Sequence, residues 1–162
     1  MKILQIILFL FSFSLCYSQQ ITKSEFKKLI KESKKEKRES GFSYYSKIIT
    51  NNKDSLFFKS DKVEIYSSEA ATSEKEFCRT VEFKFLKNNK VNFIDCQNCT
   101  GPLFCYLSTD KNIYKYQIKE NDSQLYIFFK NNYNEINFKI ISSIENELNR
   151  RKFYKIKMER IN

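Results

Sequence analysis

Histidine and tryptophan are absent from this chain, and proline occurs once and glycine twice. Without imidazole there is no Ser/His or Cys/His nucleophile pair and no histidine metal site. Two glycines cannot build a glycine-rich phosphate loop, and no Gly-x-Ser-x-Gly elbow is present. Carboxylate or Ser/Lys chemistry has its residue types here, but no spacing singles out a pair. The expectation is a protein that is not an enzyme and that uses no cofactor and no metal. Acidic residues are also outnumbered, 19 against 29 Lys+Arg, for a net charge of +10. That balance invites an anionic partner such as nucleic acid, an acidic polysaccharide or an anionic membrane surface. The abundance of Lys, Asn, Ile, Phe and Tyr is equally the usage of an AT-rich genome, so charge alone names no partner.

The opening residues, MKILQIILFLFSFSLCYS, have the layout of an export signal. Lys2 supplies the positive n-region, residues 3–15 form the apolar h-region, and Cys16 and Ser18 are the small residues a signal peptidase reads. A membrane anchor needs about 20 apolar residues, and this run is shorter and broken by Gln5, Ser12 and Ser14. A lipoprotein signal would lipidate Cys16, but Leu15 is bulkier than the residue such signals carry there. The expectation is cleavage after Ser18 and a secreted or periplasmic protein. Of 162 residues, 144 then remain, and loss of Lys2 lowers the net charge to +9. A chain of that size suits one domain with a real core.

Export changes what the cysteines mean. Cys78, Cys96, Cys99 and Cys105 are even in number and would sit in an oxidising compartment, so two disulfides are expected. A four-cysteine zinc site shows two close pairs, whereas here Cys96-Gln-Asn-Cys99 is one and Cys78 stands alone. Thioredoxin-type chemistry needs its first thiolate at a helix N-terminus, and Thr100-Gly101-Pro102 reads as a turn.

Thr22-Lys-Ser-Glu25 fits a capping box, with Ile21 and Phe26 placed for a hydrophobic staple, so an amphipathic helix is expected from about residue 23. Its apolar stripe is Phe26, Leu29 and Ile30, and from Lys31 to Ser40 every residue is charged or Ser, up to Gly41 as the expected C-cap. Lys27, Lys28, Lys31, Lys34, Lys35, Lys37 and Arg38 form the candidate polyanion-binding patch. Glu32, Glu36 and Glu39 lie among them at helical spacings, which would make the same face self-compensated and solvated.

From Phe42 the apolar period becomes two. Strands are expected at residues 44–50, 55–59 and 62–67, the last two as a hairpin, with residues 68–76 as a loop or short helical turn. Val81, Phe83 and Phe85 mark a half-buried strand, Asn88-Asn89 a turn, and residues 91–95 a return strand. Strands around Tyr114 to Ile118, Leu125 to Lys130, Ile136 to Ile140 and Tyr154 to Met158 follow. Turns are expected at Glu120-Asn121-Asp122, Asn131-Asn132 and Glu145-Asn146. The organisation is a signal peptide at 1–18, an N-terminal lysine-rich helix at 19–41 and one all-β domain at 42–162. That domain is expected to be an antiparallel up-and-down barrel of about eight strands.

Two hairpin registers are possible. A two-residue turn at Asn88-Asn89 sets Cys78 opposite Cys99; a three-residue turn pairs Phe85 with Val91 and sets Cys78 opposite Asn98. Either brings Cys78 near Cys96 and Cys99 and disfavours a Cys96–Cys99 bridge. Cys78 with Cys99 and Cys96 with Cys105 is preferred to Cys78 with Cys96 and Cys99 with Cys105.

The stretch 81–161 resembles the small exported lipocalin-like proteins of Bacteroidetes. The hairpin from Phe83 to Val91, Tyr116-Gln-Ile118, Ile141-Ser-Ser-Ile144 to Leu148, and the final Tyr154 to Arg160 strand carry the likeness. The Gly-x-Trp of the family's first strand is missing, since the chain has no Trp. The resemblance implies an eight-stranded up-and-down barrel whose cup can hold a small apolar ligand. Sixteen Phe and ten Tyr could line such a cup or fill it. The first functional expectation is therefore a non-enzymatic binder of an apolar ligand. The alternative is a secreted or envelope interaction protein, an inhibitor or polyanion binder, acting through surface loops or the basic helix.

Overall fold

The computed structural model describes residues 20–39, 42–45, 47–67, 77–97, 99, 104–106, 108–148 and 151–161. The expected signal peptide, Cys16, Gly41, the 68–76 segment and the 100–102 turn lie outside them.

Helix α1 spans Lys23–Ser33 and begins with the expected capping box. The Thr22 hydroxyl accepts from Glu25 N at 3.2 Å, and Glu25 Oε2 accepts from Thr22 N at 2.8 Å. The bond from Thr22 N foremost, and then one donated by the Thr22 hydroxyl to Glu25 Oε2 at 2.8 Å, hold the Glu25 carboxyl below its ordinary range. The helix stops about eight residues before the expected end. Helices in proteins persist mainly by burying an apolar face, and after Ile30 no residue offers one. Residues 36–39 form strand β1 (Glu36–Glu39), paired antiparallel with β2 (Phe42–Tyr45) in a separate two-stranded sheet. The aromatic residues Phe42, Tyr44 and Tyr45 favour strand and recruit the charged run as their partner.

The barrel strands are β3 (Ile48–Asn51), β4 (Lys62–Tyr66), β5 (Arg79–Phe85), β6 (Lys90–Gln97), β8 (Ile113–Asn121), β9 (Gln124–Lys130), β10 (Glu135–Leu148) and β11 (Arg151–Ile161). The two-residue β7 (Phe104–Cys105) adds to β6. Around the barrel the order is β3, β4, β11, β10, β9, β8, β6, β5 and back to β3, each pair antiparallel. This is the expected closed antiparallel eight-stranded barrel. From β5 to β11 it is a plain meander, but the β3–β4 hairpin is inserted with β3 beside β5 and β4 beside β11. β4 and β5, consecutive in the chain, therefore lie on either side of β3. Ile49 and Tyr66 point outward there, and Phe77 packs on the Tyr66 ring at 5.7 Å.

Residues 55–59 do not form a strand, and the expected hairpin with 62–67 does not exist. A 3₁₀ turn at Lys53–Ser55 leads into the short helix α2 (Leu56–Lys59). Left-handed Asp54 and Ser55 (φ 55° and 62°) reverse the chain so that Phe57 enters the barrel end, where it is fully buried. Asn52 Oδ1 accepts from Phe57 N at 3.3 Å, and tertiary burial overrides the β propensity of Leu-Phe-Phe. The 86–90 connection is the three-residue alternative: Phe85 pairs with Val91, and Asn88 and Asn89 are both left-handed (φ 57° and 52°). The expected turn at Glu145-Asn146 lies inside β10, where these residues pair with Tyr154 and Phe153. Past the bulge at Ile141, β10 and β11 continue as a two-stranded ribbon beyond the β9 and β4 pairings.

Alternating inward residues fill the barrel. Phe57 lies against Phe83, Phe93 and Phe138 at ring distances of 5.2, 5.1 and 5.9 Å. Phe93 in turn reaches Phe129 at 5.2 Å and Tyr114 at 5.0 Å. One barrel end is closed by α1, whose Phe26 and Ile30 join the same core with Ile21. At the other end Arg160 holds α2. Its Nη2 donates to Phe57 O at 2.7 Å and Nε to Ser60 O at 3.2 Å, with the guanidinium 4.9 Å over Phe138.

Candidate anion-binding groove

The seven basic residues expected to form one patch are divided by the fold. Lys27, Lys31 and Lys34 recur along one side of α1 and its C-cap and line a groove of about 370 Å3 against β8. Its other walls are Ile30, Asn89, Tyr116, Gln117 and Ile118. Lys28 is exposed but does not line the groove, Lys35 follows the helix, and Lys37 and Arg38 belong to β1. Glu36 and Glu39 are likewise on β1, so the helical pairing expected of them does not form. Among the described residues Lys27, Lys31 and Lys34 make no ion pair, which leaves their charge facing the groove.

Tyr116 and Gln117 also line a larger open groove of about 820 Å3 along the outer face of β8 and β9 and the 131–134 turn. Lys90, Lys115, Lys119 and Lys130 border it, with Asp110 and Glu135 as its carboxylates. The two grooves thus adjoin at Tyr116 and Gln117 and together carry seven lysines against two acids. Burial raises the pKa of both Tyr114 and Tyr116. Both phenols stay neutral at physiological pH, and the groove is positive.

Sequence reasoning missed the β-strand lysines as a site. The alternation of Tyr114, Tyr116 and Ile118 with Lys115 and Lys119 places those lysines on the outer face, but nothing in the sequence sets that face beside α1 or brings Lys90 abreast of Lys115. Register does so: Lys90 faces Lys115, and Lys115 faces Lys130.

The cysteines pair as preferred, Cys78 with Cys99 and Cys96 with Cys105, at Cα separations of 4.4 and 4.0 Å. Cys96 and Cys105 are direct partners across β6 and β7. The β5–β6 ladder ends at Arg79–Gln97, so Cys78 and Cys99, just beyond it, escape the pleat and bridge despite the three-residue register. Beside them Arg79 forms a fork on Asp95, Nε to Oδ1 at 3.0 Å and Nη2 to Oδ2 at 2.6 Å, and lies 5.8 Å from the Tyr106 ring. Two disulfides fit an extracellular or periplasmic location. No helix among the described residues is long and apolar enough to cross a membrane, and they contain no cluster of three or more metal-ligating side chains.

No protein-family model, curated protein or solved structure matches this chain.

Proposed function

We propose that this is an exported, non-enzymatic interaction protein that binds an anionic polymer in the groove between α1 and β8. The barrel, of the lipocalin-like kind that the sequence resembles, is its packed and disulfide-stapled scaffold. The observation that carries this reading is the pairing of a ring-filled barrel, closed at its two ends by α1 and α2, with seven lysines around an external groove, of which Lys130 alone is in an ion pair among the described residues. An apolar ligand in the barrel is the competing reading, and it would have to displace the Phe57 cluster. Electrostatic binding of this kind weakens steeply with salt. The protein is expected to stay on a heparin column to a salt concentration that falls sharply for Lys27→Gln/Lys31→Gln/Lys34→Gln. A variant with three substitutions at Lys53, Lys59 and Lys62, distant from the groove, should elute close to the wild type. Equal elution of all three proteins overturns the reading, as does an apolar ligand found by native mass spectrometry of the exported form. The same spectrum reads whether the chain begins at Gln19.

A further inference from the structure

Resting on the function proposed above, we propose that the polymer is a linear carboxylated glycan, a polyuronate with one carboxylate per sugar ring, lying across β6, β8 and β9.

Lys90, Lys115 and Lys130 are direct neighbours on three adjacent strands, all three exposed on the outer face. Like charges directly opposite each other in an antiparallel sheet are destabilising. Elsewhere on the outer face several lysines are answered by glutamates. Lys155 pairs with Glu64 at 2.9 Å, Lys47 with Glu82 at 3.4 Å, and Lys139 and Lys62 each face Glu159 in register. In the row itself only the end is answered, by Glu135 on Lys130 at 2.9 Å. A bound anion would remove a repulsion that the free protein carries.

Spacing and surface chemistry favour a glycan over a nucleic acid. Adjacent strands lie about 4.8 Å apart, so the row repeats its charge at close to the length of one pyranose ring in a 1,4-linked chain. The amides of Gln117 and Asn132 line the groove and can meet sugar hydroxyls. Single-stranded nucleic acid is held by bases stacked on open aromatic faces. Of the rings lining this groove, Tyr114 and Tyr116 pack against the core, Phe128 has Lys119 5.1 Å over its ring, and the exposed Tyr133 has Lys111 5.6 Å over its ring.

The test is calorimetric titration of the oxidised protein with oligogalacturonate and with oligothymidylate of equal charge. Oligogalacturonate is expected to bind about tenfold tighter, and Lys90→Gln/Lys115→Gln/Lys130→Gln to weaken it by about tenfold or more. The melting temperature of that variant should be unchanged or raised, because the repulsion is gone. The Lys53, Lys59 and Lys62 variant should stay within about twofold of wild type. Equal or tighter binding of oligothymidylate, or equal weakening in the control variant, overturns the assignment. If the row variant binds unchanged while the α1 variant loses heparin, this inference falls and the proposed function stands. If the wild type binds no polyanion at all, both fall.

Discussion

Phe57 links the two halves of the core, touching Phe83 on β5, Phe93 on β6 and Phe138 on β10 while its carbonyl accepts from Arg160. Its sequence neighbours gave no sign of this, since Leu-Phe-Phe between polar residues reads as a strand. Removing a fully buried Phe costs about 3–5 kcal/mol, the lost transfer energy plus the cavity left behind. Phe57→Ala is therefore expected to lower the unfolding free energy by that amount in a denaturant titration. The exposed neighbour gives the contrast: Phe58→Ala should cost well under half as much, although it has the same chemistry. Equal losses at the two positions would mean that Phe57 does not occupy the barrel. Arg160 is held by the same plug, since its fork donates to two carbonyls of the α2 segment, and its burial there lowers its pKa.

Among the elements, α1 is the one in which local signals and packing agree at the start and part at the end. Its N-terminus is dictated by Thr22 and Glu25 and seated by Ile21 and Phe26, all visible within six consecutive residues. Its C-terminus is decided by where the barrel surface ends, and the charged residues that follow pair with β2 instead. Isolated surface charges contribute about 0–1 kcal/mol each. Replacing Lys34, Lys35, Lys37 and Arg38 with Gln should thus leave the melting temperature nearly unchanged in calorimetry. A fall of many degrees would show that the β1–β2 hairpin depends on those charges. The β10–β11 ribbon is a second case: Glu145 and Asn146 are polar because they lie on a solvated ribbon rather than in a turn, and the Tyr154 hydroxyl donates to Glu145 Oε2 at 3.2 Å. Polar residues at regular spacing have the same appearance in both settings.

For the whole molecule, closure is the decisive event. β3 must find β5 while β4 finds β11, pairings that span a large part of the chain. Non-local antiparallel pairing of this kind folds slowly, and the disulfides help by tying the start of β5 to the end of β6 and β6 to β7. Cys78–Cys99 and Cys96–Cys105 enclose sequence separations of 21 and 9 residues. Each should stabilise by roughly 3 kcal/mol on the chain-entropy model. Cys78→Ser/Cys99→Ser is expected to melt well below the oxidised wild type and close to it once both are fully reduced and compared with the remaining bridge removed. Peptide mapping without reductant should recover the two linkages and no Cys96–Cys99 peptide.

The amino-acid sequence by itself determined the all-β class, the start of the capped helix before it and the inward residues of β5, β8, β10 and β11, and it favoured the cysteine pairing that forms over one alternative. Each of these depends on residues near one another in the chain or on a single hairpin. The tertiary structure alone decided the insertion order of β3 and β4, the conversion of residues 55–59 into a barrel plug, and the end of α1. It also decided the row of Lys90, Lys115 and Lys130. These four outcomes depend on which distant surfaces meet when the barrel closes, and burial of Phe57 and the register of β6, β8 and β9 outweigh local preference by amounts no short window of sequence contains.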